Sequence, residues 1–352
     1  MVHVSDISTP ALLVQRSTFE ANVASAEQMV RGTGKRLRPH FKTHRTPALA
    51  LREVTPAVIG ATCATVGEAE VLVRAGIADV LIANEFVTPD KIRRIALLAA
   101  RARILVAADA EGPLEALSSA ATVVRSTVGV LVDFDVGLGR CGVASPAQAQ
   151  RLATMTARLP GLRFAGIMGY EGRIKSSDAG GANRLARAFE SLAEAKAAVE
   201  AAGLKAEVVS GGGTATIREA LADPNITEVQ AGTYCLMEPD IDHIGLPFRG
   251  AVEVLASVIS HNPPRITVDA GRRTIGCDKG PPICLEPGGR VLFVSDEHVT
   301  LSWDGEPPAL GDRIRLRPTQ NRTTFNLYDV VWLVGPDGMA EELKVEARGR
   351  SQ

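Results

Sequence analysis

The stretch Arg38-Pro39-His40-Phe41-Lys42-Thr43-His44-Arg45 decides how the rest of the chain is organised. It sets one lysine in a short apolar-flanked segment, with a histidine two residues to either side. The run from Leu37 to Lys42 is too short for a stable helix and follows Gly34, which predicts a buried strand ending near Lys42. A lysine at the end of a buried strand is costly unless something uses it. Desolvation lowers an ammonium's pKa and makes the amine nucleophilic, which suits Schiff-base formation with an aldehyde. The period of two puts His40 and Lys42 on one strand face, and His44 with them if the strand runs that far. All three are candidates for proton transfer. The same residues also read as a basic loop between a strand and a helix beginning near Pro47.

Outward from this stretch, short β-rich runs alternate with longer Ala-, Arg- and Glu-rich amphipathic ones. Strands are expected over 11–14, 61–65, 80–83, 104–107, 128–134, 164–168, 206–209 and 227–230. Helices are expected over 17–32, 47–53, 67–75, 89–102, 114–122, 147–159, 182–202 and 215–221. Repeated strand-then-helix units with right-handed crossovers imply a parallel sheet. Eight or more units over roughly 230 residues suit a closed (β/α)8 barrel better than an open doubly wound sheet. Beyond about residue 245 the pattern changes to short strand-like runs over 251–260, 265–268, 291–294, 298–301, 313–316 and 330–333. Clusters such as Asn262-Pro263-Pro264, Gly280-Pro281-Pro282 and Pro287-Gly288-Gly289 separate them, and no helices intervene. That reads as a β domain. The expected organisation is therefore α/β, with a TIM-type barrel over 1–245, whose first residues can join the second domain, and a β domain over 246–352.

Composition bounds the function. A length of 352 residues accommodates one large barrel and a smaller domain. A net charge of −1 argues against a nucleic-acid or polybasic membrane role. Arg93, Arg94, Arg101 and Arg103 break up the longest apolar candidate for a membrane span. The first twenty residues lack a basic start followed by an apolar core, so no secretion signal is expected. Cys63, Cys141, Cys235, Cys277 and Cys284 are scattered without paired metal spacing, which fits free thiols and a cytoplasmic location.

In a barrel, chemistry sits at the C-terminal ends of the strands. The chemistry-bearing residues fall there: Asn84, the run Asp133 to Arg140, Tyr170 and Glu171, Ser210-Gly211-Gly212-Gly213-Thr214, and Gln230-Ala231-Gly232-Thr233-Tyr234. Three consecutive glycines let several backbone N–H groups curl inward beside a helix N-terminus, which makes a phosphate cradle; an ordinary βα turn has the same composition. Arg140 stands in the glycine-rich Gly137-Leu138-Gly139-Arg140-Cys141-Gly142 and reads either as a ligand contact or as a solvated loop arginine. Tyr170 reads either as a site residue or as a barrel-rim aromatic, and Cys141 as a small packed residue.

Arg38 to Arg45 resembles the pyridoxal-phosphate lysine segment of the D-threonine aldolase and D-serine dehydratase family, relatives of alanine racemase. The resemblance implies a (β/α)8 barrel followed by a β domain, and it places Lys42 as the lysine that binds pyridoxal 5'-phosphate. It further implies that the Ser210–Thr214 turn binds the phosphate, with Gly232 and Tyr234 as a second phosphate contact, Arg140 near the pyridoxal ring oxygen and Tyr170 beside the ring. Asp269-Ala270-Gly271 and Ser295-Asp296-Glu297-His298 match landmarks of the family's second domain, so the likeness runs from Lys42 to Asp329.

In Pro318-Thr319-Gln320-Asn321-Arg322-Thr323 this chain departs from the family, which commonly places there a histidine and, two residues on, a cysteine or aspartate that hold a divalent metal. Gln320 and Arg322 occupy those positions. Gln is a poor transition-metal ligand and Arg cannot coordinate, which predicts a site without metal. Arg322 can supply the positive charge instead, holding a hydroxyl or pairing with a second substrate carboxylate; it also reads as a surface arginine beside a vacated site. Cys277 is a candidate acid/base on the opposite cofactor face, as a racemase needs, or a buried structural cysteine. The resemblance implies a homodimer with shared sites and a small amino-acid substrate. Three functions follow: a lyase (aldolase or dehydratase) on a D-configured β-hydroxy-α-amino acid, a racemase or epimerase, or a pyridoxal-phosphate carrier without turnover.

Overall fold

Eight parallel strands form the sheet that the alternation predicts, as seen in a computed structural model of the chain that describes residues 1–172, 174 and 177–352. Their order across the sheet is Arg36–Leu37, Glu228–Val229, Val208–Gly211, Leu162–Met168, Val128–Asp133, Arg103–Ala108, Asp79–Ile82 and Ala61–Cys63. The two ends meet. Leu37 bridges Val58 and His40 bridges Thr62, both in parallel, so residues 36–40 carry backbone hydrogen bonds on either side and the sheet closes into a barrel. Leu81, Leu105, Ala107, Leu131, Ala165 and Met168 pack as one buried cluster drawn from adjacent strands, as expected where both faces of a parallel sheet are covered.

The helices between strands start where local chemistry directs. Thr65 accepts from the Glu68 N–H while the Glu68 carboxylate accepts from the Ala64 N–H, opening Val66–Arg74. Ser145 and Gln148 make the same exchange with Gln148 and Ala144 at the start of Pro146–Arg158. In each case the sequence supplies acceptors for N–H groups that the first helical turn leaves unpaired.

By packing, the chain divides into two units. The barrel lies in the unit made of Glu27–Lys42, Ala50–Gly232 and Arg350–Gln352. The other unit comprises Met1–Ala26, Thr43–Leu49 and Thr233–Gly349. Its main sheet runs Val2–His3, Met339–Lys344, Val330–Val334, Ala11–Gln15, Val252–Asn262, Arg265–Val268, Val299–Trp303 and Gly289–Val294, with Arg313–Arg317 and Ile283–Cys284 branching from Val252–Asn262. Pairing is antiparallel except between Ala11–Gln15 and Val330–Val334. Ile7, Ala11, Leu13, Leu255, Val334 and Ala340 form a buried cluster there.

Two local expectations are corrected. The strand at 11–14, which heads the alternating series, pairs with Val252–Asn262 and Val330–Val334 rather than with any barrel strand; a short apolar run carries no information about which sheet it joins. The strand expected to end near Lys42 has its last rung at His40, and Phe41–Thr43 is a single 3-10 turn. Lys42 lies in that turn and so does not share a strand face with His40. Among the described residues no helix is long and apolar enough to cross a membrane, and the five cysteines are free.

The barrel carries one slip in register, from Val130–Phe164 to Leu131–Gly166. Gly166 there has a φ of 149°, and a Cβ on it would collide with the Val208 carbonyl oxygen. Gly166→Ala is expected to cost about 2–4 kcal/mol, measured as a lowered urea midpoint with the slope of the transition unchanged.

Candidate active site

In the barrel unit, Lys42 follows the closing seam directly. It is half-buried, and its Nζ lies 6.0 Å from the centre of the Tyr170 ring. The Arg140 guanidinium lies 5.7 Å from the same ring centre. Tyr170 sits past the end of Leu162–Met168, and a Cβ placed on Gly213 would come within 3.4 Å of its ring. Three separate βα connections therefore converge on one aromatic ring, at the strand ends where barrel chemistry belongs. Two cations within about 6 Å of a ring face are attracted by its quadrupole.

Arg140 is exposed, but its loop is organised. The Asp135 carboxylate accepts from the N–H groups of Gly137 and Gly139, both at 3.0 Å, and Asp109 accepts from the Gly142 N–H at 3.1 Å. Gly142 has a φ of 104°, and a Cβ there would meet the Asp135 nitrogen at 2.6 Å. The glycine pattern of this loop serves close backbone approach.

The glycine turn is more constrained than its composition suggests. Ser210 and Gly211 belong to the strand Val208–Gly211, and the Ser210 hydroxyl donates to Glu228 at 3.0 Å instead of facing outward. The Gly212 N–H donates to the buried Glu171 carboxylate at 3.2 Å, and the Gly213 N–H donates to Thr216 Oγ1 at 2.9 Å. A 3-10 turn over Thr214–Thr216 precedes a helix of only six residues, Ile217–Ala222, so little helix dipole backs the turn. Burial raises the Glu171 carboxyl's pKa, while hydrogen bonds from Thr216 and the turn's own N–H groups pull it down. Gly232 is buried at the end of this unit.

His40 is buried and donates its backbone N–H to Ala231 at 3.1 Å. His44, Tyr234, Cys277, Gln320 and Arg322 fall in the other unit. His44 is buried edge-on against Phe325, and the Thr46 N–H donates to its Nδ1 at 3.1 Å. Tyr234 is fully buried, its ring 5.7 Å from that of Phe248. Cys277 donates its thiol to the Ile275 carbonyl at 3.4 Å; burial raises the thiol's pKa, with Asp278 adding to and Arg272 opposing that shift. The Gln320 amide, oriented to satisfy both ends, donates to Asp278 at 2.8 Å and accepts from Arg322 at 3.0 Å. Arg322 also lies 3.9 Å from Glu238, which pairs with Lys279 at 2.8 Å.

This barrel, with its lysine at the closing seam, places the chain in a known class: residues 14–239 match the family described as alanine racemase, N-terminal domain, and the chain belongs to that family. Residues 251–334 match a serine dehydratase domain. The chain is 35% identical to a D-threonine aldolase from Arthrobacter sp, over 98% of this chain and 94% of that protein. It is 33% identical to a 3-hydroxy-D-aspartate aldolase from Paracoccus denitrificans (strain Pd 1222), over 98% of this chain and 93% of that one. The crystal structure of D-threonine aldolase from Filomicrobium marinum superposes with a TM-score of 0.94 at 35% identity, covering 98% of this chain and 97% of that chain.

Behind Arg140 stands an acidic group of which the sequence reading picked out Asp133 but missed Glu85 and Asp109. Glu85, Asp109 and Asp133 follow or end three adjacent barrel strands and gather with Cys141 and Arg140. Their position at strand ends was the available signal. Burial pushes the Asp133 carboxyl up to about 8, aided by its hydrogen bond to Glu85 and opposed by Arg140. The folded chain thus keeps a proton that the unfolded chain gives up near pH 4. Its contribution to stability is full in acid and is lost as pH rises from about 4 through about 8, a matter of a few kcal/mol. Melting curves across that window should show the wild-type transition falling with pH and a nearly flat Asp133→Asn transition.

Proposed function

We propose that the protein is a pyridoxal 5'-phosphate-dependent lyase acting on a D-configured β-hydroxy-α-amino acid, either by retro-aldol cleavage of a D-threonine-like substrate or by dehydration of a D-serine-like one. The observation that carries the reading is the convergence of Lys42, Arg140 and the glycine turn on Tyr170. These residues fit the cofactor: an amine and a cation over one aromatic ring, with Gly213 of the glycine turn beside that ring.

Lys42 would be the residue that holds the cofactor through its aldehyde, its side chain being half-buried. Arg140 and Tyr170 orient the ring. The Ser210–Thr214 turn with Gly232 would hold the phosphate, although the Gly212 and Gly213 N–H groups already serve Glu171 and Thr216. When bound, the cofactor supplies an electron sink conjugated to the substrate's Cα. The protein chooses the bond that breaks by placing a base. One that takes the β-hydroxyl proton gives retro-aldol cleavage; one that takes the α-proton, followed by loss of hydroxide, gives dehydration. The Thr46 N–H bound to His44 Nδ1 puts the hydrogen of the neutral imidazole on Nε2, so His44 is a donor at that atom. Acceptance of the proton then falls to His40 or to Lys42.

At residues 320 and 322 a divalent cation does not fit. Gln320 is satisfied at both ends by Asp278 and Arg322, and the guanidinium is itself a cation. Arg322 takes over the task of holding the substrate's β-substituent. Arg322 is linked to Glu238 directly and to Asp278 through Gln320, and Glu238 shares Lys279 with Asp240, at 2.8 and 2.9 Å. Three carboxylates against two cations favour a neutral hydroxyl over a second substrate carboxylate. A racemase reading needs a base on the opposite face, and Cys277 is a poor one because its thiol is pushed up by burial. A carrier has no use for the second unit. The reading carries with it a cytoplasmic homodimer with sites shared between chains.

The test is proton NMR in D2O, with chelator present, on D-amino acids with and without β-hydroxyls. Glycine and an aldehyde, absent with Lys42→Ala, are the expected products. A 2-keto acid with ammonia would make the enzyme a dehydratase, loss of the α-proton signal alone a racemase, and no change a carrier. Activity that vanishes with chelator and returns with a divalent metal would overturn the role given to Arg322. Arg322→Ala should lower kcat/KM by about ten- to a hundredfold.

A further inference from the structure

Inside the barrel lies a chain of polar side chains that the reaction does not use. Arg38 is fully buried. Its Nη1 donates to Asp79 at 2.6 Å, and its Nη2 lies 2.9 Å from Glu228 Oε2, within ion-pair distance though not aimed as a hydrogen bond. Burial opposes the Arg38 charge, but Glu228 and Asp79 outweigh it and hold its pKa up. Glu228 accepts at its other oxygen from Ser210 at 3.0 Å, and Ser210 accepts from Gln230 Nε2 at 2.9 Å. Room for the guanidinium depends on Gly60, where a Cβ would lie 2.9 Å from Arg38 Nη1 and strike the Asp79 carbonyl.

A buried ion pair of this kind is a poor source of stability, since apolar residues of similar volume usually do as well or better. Its placement offers another use. Arg38 stands four residues before Lys42 in the seam strand, and Ser210 opens the glycine turn. Glu228, on the strand between them, grips both. We infer that Arg38 and Glu228 are positioning residues that tie the segment delivering Lys42 to the turn delivering the anion site, and so set the distance between amine and phosphate. The inference rests on Lys42 and the turn being the two anchors of the cofactor.

A ligand that must reach both anchors depends on that distance; one that reaches only the lysine does not. The experiment titrates apo wild type, Glu228→Gln and Ser210→Ala with pyridoxal 5'-phosphate and with unphosphorylated pyridoxal, following the visible absorbance that appears when the lysine binds the aldehyde. Glu228→Gln should weaken the phosphorylated aldehyde about tenfold and leave pyridoxal within about twofold. Ser210→Ala, which spares the ion pair, should lose about threefold on the phosphorylated form alone, and it decides the matter if circular dichroism shows Glu228→Gln unfolded. Equal weakening of both aldehydes, or of neither, overturns the positioning role. Failure of wild type to bind either aldehyde overturns the cofactor reading itself.

Discussion

The closing seam at residues 36–40 is the constraint on which the barrel's site depends. Arg36, Arg38 and His40 donate to Thr227, Val229 and Ala231 on one side, while Leu37 and Pro39 accept from Ile59 and Thr62 on the other. Proline has no N–H to offer, so the second side loses a rung and survives as isolated bridges instead of a continuous ladder. Gly60, at a φ of 51°, lets the partner segment bend past this point. After the rung at His40 the chain turns at once into the 3-10 segment that holds Lys42. The lysine thus leaves the strand half-buried, with its Nζ over the Tyr170 ring.

Charge is handled differently in the two units. In the barrel, Asp135 and Asp109 are spent on backbone N–H groups that shape the Arg140 loop, and Asp133 shares its proton with Glu85. Repulsion among close carboxylates is thus relieved by protonation and by hydrogen bonds. Around Arg322, fixed cations answer fixed acids, with Gln320 bridging Asp278 to the guanidinium. An amide and an arginine form a closed hydrogen-bonded set, whereas ligands for a metal would need open lone pairs.

The alternation of apolar strands with amphipathic helices was enough to read a parallel barrel and a β region after it, because burial on both faces leaves a period in the sequence. The positions of Lys42, Arg140, Tyr170 and the glycine turn at strand ends were legible for the same reason. The sheet that Ala11–Gln15 joins was not, nor the 3-10 turn at Lys42, since both depend on which neighbours happen to offer hydrogen bonds. Arg38 and Glu228 were invisible as a pair: one looked like part of a basic segment, the other like an ordinary strand residue. Only the closing of the sheet brings strands from opposite ends of the barrel sequence side by side, and only there does a buried guanidinium find the carboxylate that makes its burial tolerable.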